Sequence, residues 1–156
     1  MNDFGNLPRD AFSYRDDPAV PAFPDDKPVI VFDGYCALCS GWAAFVLRHD
    51  RRHRYRLVTA QSGLGRSLYV HYGLDPEDYE TNILIEAGVA WFRSDATIRM
   101  AAGLGWPWRA AVIFRLLPRR FRDWMYDGIA RYRLKVFGQR DACYRPAAAD
   151  ADRFLG

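Results

Sequence analysis

The sequence predicts a single α/β domain built on a mixed β-sheet, and three observations support this fold class. The chain has 156 residues, of which 50% are hydrophobic, which is enough for one hydrophobic core but not for two. A continuous apolar run over residues 29–32 leads directly into a segment with helical periodicity, as a buried parallel strand does. Farther along the chain, two apolar runs lie at hairpin distance and predict an antiparallel pair.

The first half of the predicted domain alternates strands and helices. Residues 29–32 are β-branched and aromatic and follow a proline, which predicts a central strand. The next apolar side chains recur at i, i+3, i+4 and i+7, which predicts an amphipathic helix over about residues 39–50. These residues are Trp42, Phe45, Val46 and His49. Residues 54–59 alternate as a second strand, and Leu64, Leu68 and Tyr72 then mark one face of a helix that ends at Gly73.

The second half of the predicted domain is a hairpin followed by a helix. Residues 82–85 and 89–92 flank a three-residue turn and should pair antiparallel. Ser94 is the predicted N-cap of the next helix, with Asp95 in its first turn, and glycines at 103 and 105 end that helix.

The resulting order, βαβαββα, is that of a thioredoxin-like core, in which a parallel βαβ half and an antiparallel ββα half share one sheet with helices on both faces. Two further amphipathic helices are predicted after this core. One begins at Pro107 and runs to Leu117, and the other begins at Pro118 and runs to Gly138.

The composition excludes several classes of protein. The 22 basic and 19 acidic side chains give a net charge of only +3, and no apolar run approaches the roughly 20 residues of a membrane-spanning helix. The first residues lack a basic segment followed by an apolar one, so we expect a cytoplasmic protein. Three cysteines are too few, and odd in number, for a disulfide framework.

The ends of the chain are predicted to differ from the domain between them. Residues 1–28 hold five of the nine prolines, with six acidic against three basic side chains, and predict an irregular arm of unknown function. Its aromatic residues could pack along the domain. They are Phe4, Phe12, Tyr14 and Phe23. The domain itself is expected over residues 29–146, including the helical extension, and residues 147–156 are expected to form a tail.

The segment that predicts chemistry is a C-x-x-C motif, Cys36 to Cys39, placed where the buried strand leads into the first helix. Unpaired backbone N–H groups and the positive end of the helix dipole stabilise a thiolate at this position, so the pKa of Cys36 should be low. We therefore expect Cys36 to be the more exposed, nucleophilic cysteine. Cys39, one turn along, should be within disulfide reach and resolve the mixed disulfide.

Asp33 precedes the motif by three residues and has two interpretations. Its carboxylate could accept the proton of Cys39 during resolution. It could instead accept backbone N–H bonds and shape the turn, as aspartate before glycine commonly does. The sequence leaves both interpretations open.

The stretch from Asp33 to Cys39 after a hydrophobic strand resembles the signature of the DCC family of predicted thiol-disulfide oxidoreductases, whose pattern is DxxCxxC. The resemblance extends over about residues 29–146. It includes Gln61-Ser62, Thr81, Ser94-Asp95-Ala96 and Arg140-Asp141-Ala142-Cys143. This resemblance implies a thioredoxin-like fold and protein disulfide reductase activity without a bound cofactor.

The expected partners are a disulfide-containing protein or small molecule and an electron donor of unknown identity. Thr81 and Tyr35 are expected to contact the substrate. Thr81 follows Glu80 at the point where thioredoxins place a cis-proline before the third strand, so its backbone could pair with a substrate. The absence of proline there also makes metal binding more credible, and leaves a non-catalytic thioredoxin-like binding or metal-carrying module as the alternative function.

Other interpretations of the same residues are weaker. Cys36, Cys39, His49 and His53 spell C-x2-C-x9-H-x3-H, but the middle spacing is short for a zinc finger and one continuous helix would separate the histidines from the cysteines. No metal site is therefore predicted. Cys143 is either a third thiol near the motif or a small packed side chain.

The C-terminal helices are basic, since residues 109–145 hold ten basic and three acidic side chains, a local balance of +7. Basic residues beside tryptophan and tyrosine could indicate nucleic-acid binding. No recognised nucleic-acid motif accompanies them, so we expect no nucleic-acid partner. The simpler prediction is a solvated basic face with the aromatic residues packed in the core, and an acidic protein partner stays open.

Overall fold

The computed structural model describes residues 10–77, 81–139 and 141–155, so the predictions for Phe4, Glu80 and Arg140 lie outside the described residues. In chain order the strands and α-helices are β1 (Val29–Phe32), α1 (Ala37–His49), β2 (Arg56–Thr59), α2 (Gly63–His71), β3 (Ile83–Glu86), β4 (Val89–Phe92), α3 (Arg93–Gly103) and α4 (Arg119–Val136). The first seven confirm the predicted βαβαββα order.

The four strands form one mixed sheet in the order β2-β1-β3-β4. Strand β1 pairs parallel with β2, with Phe32 opposite Thr59, and antiparallel with β3. All four residues of β1 are buried, as its continuous apolar run predicts. Because β1 and β2 are parallel and in register, their carboxyl ends meet at one edge of the sheet, and the C-x-x-C motif follows from that edge.

Successive residues of β1 point to opposite faces of the sheet and join two separate clusters of buried side chains. Val29 and Val31 pack with α2, whereas Ile30 and Phe32 pack with α1 and α3. This arrangement confirms the predicted mixed sheet with helices on both faces.

The described part of the N-terminal arm packs on the α2 side of the sheet. Tyr14, within a short 3-10 helix (Ser13–Asp16), is buried in that cluster, and Phe12 and Phe23 pack against it. The hydroxyl of Tyr14 also donates to Asp25 Oδ2 at 2.8 Å. Aromatic burial therefore holds residues 12–25 along the domain.

The last residues pack against the opposite face of the sheet and against its edge. A 3-10 helix (Ala148–Arg153) places the buried guanidinium of Arg153 in an ion pair with the buried carboxylate of Asp50. The next residue, Phe154, forms a parallel bridge with Leu57 of the edge strand β2, and the Leu155 N–H donates to the Leu57 carbonyl at 2.9 Å.

The helix predicted from Pro107 to Leu117 is confirmed as a 3-10 helix (Trp108–Leu116), none of whose residues is buried. The predicted cap of α3 is wrong. Ser94 does not cap α3, because α3 begins at Arg93, whose N–H donates to Thr81 Oγ1 at 2.9 Å. The Ser94 hydroxyl instead donates to Asp123 of α4 at 2.7 Å. Among the described residues, no helix is long and apolar enough to cross a membrane.

Candidate active site

The C-x-x-C motif lies at the amino end of α1. Cys36 is the N-cap residue, with extended backbone, and its Sγ accepts the backbone N–H of Cys39 at 3.3 Å. The Cys36 carbonyl accepts the N–H of Ser40 at 2.9 Å and so begins the helical ladder. A sulfur at the N-cap position lies where backbone N–H groups and the helix dipole stabilise a negative charge.

The two cysteines have opposite acidities. The pKa of Cys36 is lowered to about 6, chiefly because the thiol of Cys39 donates a hydrogen bond to the Cys36 sulfur. The backbone N–H of Cys39 and the positive charge of Arg133 act in the same direction, whereas burial and the charge of Asp33 oppose it. The pKa of Cys39 is raised well above its ordinary range, because its proton is held by Cys36 and because burial disfavours the charged form.

The expectation that Cys36 is the more exposed cysteine is wrong. Cys36 is fully buried, and Cys39 is partly exposed. The covering segment follows α4, where the Gly138 carbonyl accepts the N–H of Ala37 at 3.3 Å and Gln139 forms an antiparallel bridge with Cys36. A backbone pairing therefore covers Cys36.

Asp33 is buried and forms the hydrogen bonds expected of a turn-shaping residue. Its Oδ1 accepts the N–H of Tyr35 at 2.9 Å and Nε2 of Gln61 at 2.6 Å. Gln61 Oε1 in turn accepts the N–H of Gly34 at 2.9 Å. Gln61 thus ties the end of β2 to the turn after β1. The role of Asp33 in proton transfer stays a prediction.

A small pocket, partly open to solvent, lies beside Cys39. Asp33 lines one side of it, and Tyr126 and Arg133 of α4 line another. The buried Arg133 places Nη2 3.9 Å from Asp33 Oδ2. The only sulfur lining this pocket therefore faces a cation and a carboxylate that lie close to each other.

The two expected substrate contacts have different surroundings. Tyr35 is exposed next to the motif. Thr81 lines the pocket beside Cys39, but its carbonyl accepts the hydroxyl of Tyr69 and its hydroxyl accepts from Arg93. Thr81 therefore lines the pocket, but its carbonyl already accepts a hydrogen bond from Tyr69.

Cys143 lies against the turn that precedes the motif. A Cβ added to Gly34 would be 2.5 Å from Cys143 Sγ. The same sulfur is 3.9 Å from Gln61 Oε1, and the N–H of Tyr144 donates to the Gly34 carbonyl at 2.9 Å. The glycine leaves room for the sulfur of Cys143.

The described residues offer little to a metal ion. Within them, no three His, Cys, Asp or Glu side chains converge in a group that could hold one. His49 of the proposed finger pattern lies at the far end of α1, about 15 Å along the axis from Cys39, and its Nδ1 is 2.9 Å from the Phe45 carbonyl.

Sequence reasoning gave no role to Gln61, Tyr126 or Arg133. The sequence contained a signal for the position of Gln61, because residues that follow two neighbouring parallel strands lie beside each other. It contained no such signal for Tyr126 and Arg133, since their positions depend on how α4 packs across the end of α1.

The chain is similar to members of one protein family. The model of the DCC1-like thiol-disulfide oxidoreductase family matches residues 30–139. The uncharacterized protein YuxK of Bacillus subtilis is 35% identical over 127 residues, which cover 81% of this chain and 93% of that protein. A chloroplastic DCC family protein of Arabidopsis thaliana is 32% identical over 120 residues, which cover 76% of this chain and 70% of that protein. No solved structure matches the chain significantly.

The matched residues include β1, the C-x-x-C motif, the pocket beside Cys39 and α4. With a family model that covers most of the chain and relatives above 30% identity, the chain belongs to the DCC1-like thiol-disulfide oxidoreductase family.

Proposed function

We propose that this protein is a thiol-disulfide oxidoreductase that reduces disulfides through Cys36 and Cys39. One observation carries the proposal. Cys36 is the N-cap of α1, with its sulfur bonded to Cys39 and its pKa lowered to about 6. At neutral pH such a cysteine is mostly thiolate, which is the reactive form in disulfide exchange.

The reaction has two exchange steps. The Cys36 thiolate attacks one sulfur of the substrate disulfide, the substrate S–S bond breaks, and one substrate thiolate leaves. Cys39 then loses its proton and attacks Cys36, which breaks the mixed disulfide and releases the second substrate thiol. The enzyme is oxidised to a Cys36–Cys39 disulfide and the substrate is reduced by two electrons. A dithiol donor returns the two electrons.

The pocket residues suit the second step. Cys39 holds its proton tightly, so resolution needs a group that accepts this proton. Asp33 lines the same pocket as Cys39 and is the only carboxylate among the lining residues. Arg133, 3.9 Å from Asp33, offsets the negative charge that would otherwise oppose the Cys36 thiolate.

Attack by Cys36 requires that Gly138 and Gln139 leave the backbone of Cys36 and Ala37. A substrate strand could then form the hydrogen bond with Ala37 that Gly138 forms in this structure. Tyr35 at the surface and Thr81 in the pocket wall would contact that substrate on either side of the motif.

The proposed location is the cytoplasm, since three cysteines suit a compartment that keeps thiols reduced. The partners in this proposal are a disulfide-containing protein or small molecule and a dithiol electron donor.

The test is an insulin-reduction assay with dithiothreitol as the donor. Wild type should exceed the background rate, and Cys36→Ser should return to background. Cys39→Ser should instead accumulate a mixed disulfide that mass spectrometry assigns to Cys36. Equal turnover by wild type and Cys36→Ser would exclude the proposal. Stoichiometric zinc or iron in the purified protein would favour the metal-carrying alternative.

A further inference from the structure

The two C-terminal helices and the residues beside them expose many large apolar side chains to solvent. The most exposed members of this surface are Trp106 (81%), Leu116 (84%), Trp124 (70%) and Val136 (71%). Clustered exposed apolar side chains in a folded domain mark a surface that binds something. The prediction that the aromatic residues of α4 pack in the core is therefore wrong for Phe121, Trp124 and Tyr132.

On α4 the exposed apolar residues form one continuous stripe. They recur three or four residues apart, or at sums of these steps, and so share one side of the helix. The stripe consists of Phe121, Trp124, Met125, Ile129, Tyr132 and Val136. The rings of Phe121 and Trp124 stack with centroids 6.0 Å apart. The exposed apolar residues of α4 therefore lie together on one side of the helix and are not scattered around it.

The opposite side of α4 is already used by the domain. Asp123 accepts from Ser94, Tyr126 donates to Asn82 Oδ1 at 3.1 Å, and Arg133 is buried beside Asp33. The helix is held on the domain by this side. The apolar stripe therefore cannot turn inward without breaking these contacts.

Exposed cations border the apolar surface. Arg109 and Arg115 lie on the 3-10 helix, and Arg120, Arg131 and Lys135 lie along one margin of the α4 stripe. Within the described part of the chain, none of these five forms an ion pair with an acidic side chain. Their charge is available to an anionic partner.

We propose that this surface, formed by the exposed side chains of residues 106–137, docks on an anionic lipid bilayer. Tryptophan, phenylalanine and leucine would enter the boundary between headgroups and acyl chains, while the arginines and the lysine bind anionic headgroups. This combination of aromatic and aliphatic residues bordered by basic side chains is typical of helices that lie in a membrane interface.

Charge and side-chain shape favour a lipid bilayer over two other partners, a second copy of the chain and a nucleic acid. A second copy of the chain would bring the same five cations against themselves, which like-charge repulsion opposes. A nucleic acid would use flat stacking surfaces, whereas Ile113, Leu116 and Val136 are exposed aliphatic side chains suited to hydrocarbon.

Sedimentation with lipid vesicles tests the proposal. Wild type should pellet with phosphatidylcholine vesicles that contain phosphatidylglycerol, weakly with phosphatidylcholine alone, and less at high salt. Tryptophan emission should shift to shorter wavelength on binding. Cys36→Ser should bind like wild type, so that failure of docking and failure of the proposed redox activity are distinguishable.

Matched variants distinguish binding through this surface from nonspecific adsorption to the vesicles. Arg115→Glu/Arg120→Glu should weaken the partition coefficient by at least about 25-fold, since each basic residue near an anionic surface contributes about fivefold. Arg15→Glu/Arg66→Glu, exposed on the α2 side of the sheet, should change it little. Leu116→Ser/Trp124→Ser should abolish binding, and Val70→Ser, 57% exposed on α2, should not.

Three results would overturn the proposal. The first is no binding of wild type to the anionic vesicles. The second is equal loss of binding in the surface variants and their controls. The third is a stable dimer in light scattering that Leu116→Ser/Trp124→Ser dissociates, which would assign the surface to a second copy of the chain.

Discussion

Arg133 Nη2 lies 3.9 Å from Asp33 Oδ2, and both side chains are buried at the pocket beside Cys39. Asp33 alone would oppose a thiolate at Cys36, and Arg133 alone would be a buried cation. Together they keep a carboxylate at the same pocket as Cys39 while the low pKa of Cys36 is preserved.

The pH dependence of Cys36 alkylation follows from its lowered pKa. The rate with iodoacetamide should rise with pH and reach half its plateau near pH 6, because the thiolate is the reactive form. Peptide mass spectrometry distinguishes Cys36 from the other two cysteines. In Cys39→Ala the midpoint should move upward, because the thiol of Cys39 is the largest cause of the low pKa. A midpoint near the ordinary value of 9 in wild type would contradict the structure.

Arg133→Gln should raise the midpoint of the same pH profile by about one unit, because it removes the cation that favours the Cys36 thiolate. Arg133→Lys keeps the charge and should stay closer to wild type. The control is Arg131→Gln, exposed on the same helix, which should leave the midpoint unchanged. If Arg133→Gln has the wild-type midpoint, this cation does not act on Cys36.

Asp33→Asn separates the two roles of this side chain. The amide oxygen can still accept from Tyr35 and Gln61, but the buried Arg133 loses its anionic partner, so the free energy of unfolding should fall by about 3–5 kcal/mol. Loss of the carboxylate should slow the release of the second substrate thiol, measured by rapid quench of the mixed disulfide. Unchanged resolution rates across pH would leave Asp33 with the structural role alone.

Gly138→Ala tests whether the covering segment limits access to Cys36. Gly138 has φ +80°, which costs an L-residue about 1–2 kcal/mol, so the segment should open about five- to thirtyfold more often. Alkylation of Cys36 should accelerate by the same factor at constant pH. Gly105→Ala is the matched control, because Gly105 also has positive φ (+86°) and open space around it. Equal acceleration in both variants would mean that the effect is not local.

Cys143 should act through packing against Gly34. Gly34→Ala places a Cβ 2.5 Å from Cys143 Sγ and should destabilise the fold by about 1–3 kcal/mol in urea unfolding. Cys143→Ala should recover part of this loss in the double variant, because it removes the clashing sulfur. Cys143→Ala alone should keep wild-type turnover of insulin. A loss of turnover would instead make Cys143 a third redox thiol.

The sheet and the position of the motif were predictable because their signals are local. The run from Val29 to Phe32 is apolar at every position because its side chains enter hydrophobic clusters on both faces of the sheet. Cys36 follows that strand at a fixed distance, so its place at the end of α1 depends on a few adjacent residues.

The burial of Cys36 was not predictable in the same way. Gly138 and Gln139, which cover it, are distant in sequence, and a backbone pairing carries no side-chain pattern. The stripe on α4 shows a related limit. Periodicity predicts that Trp124 and Ile129 share a side of the helix, but not whether protein or solvent covers that side.

The bridge between Phe154 and Leu57 has a consequence for self-association. β2 is an edge strand whose two central residues, Leu57 and Val58, are apolar, and unprotected strand edges recruit strands from other molecules. Phe154 and Leu155 occupy part of that edge, held by the ion pair of the neighbouring Arg153 with Asp50. Removal of these C-terminal residues would expose the backbone edge of β2 and favour fibre-like aggregation over a monodisperse solution.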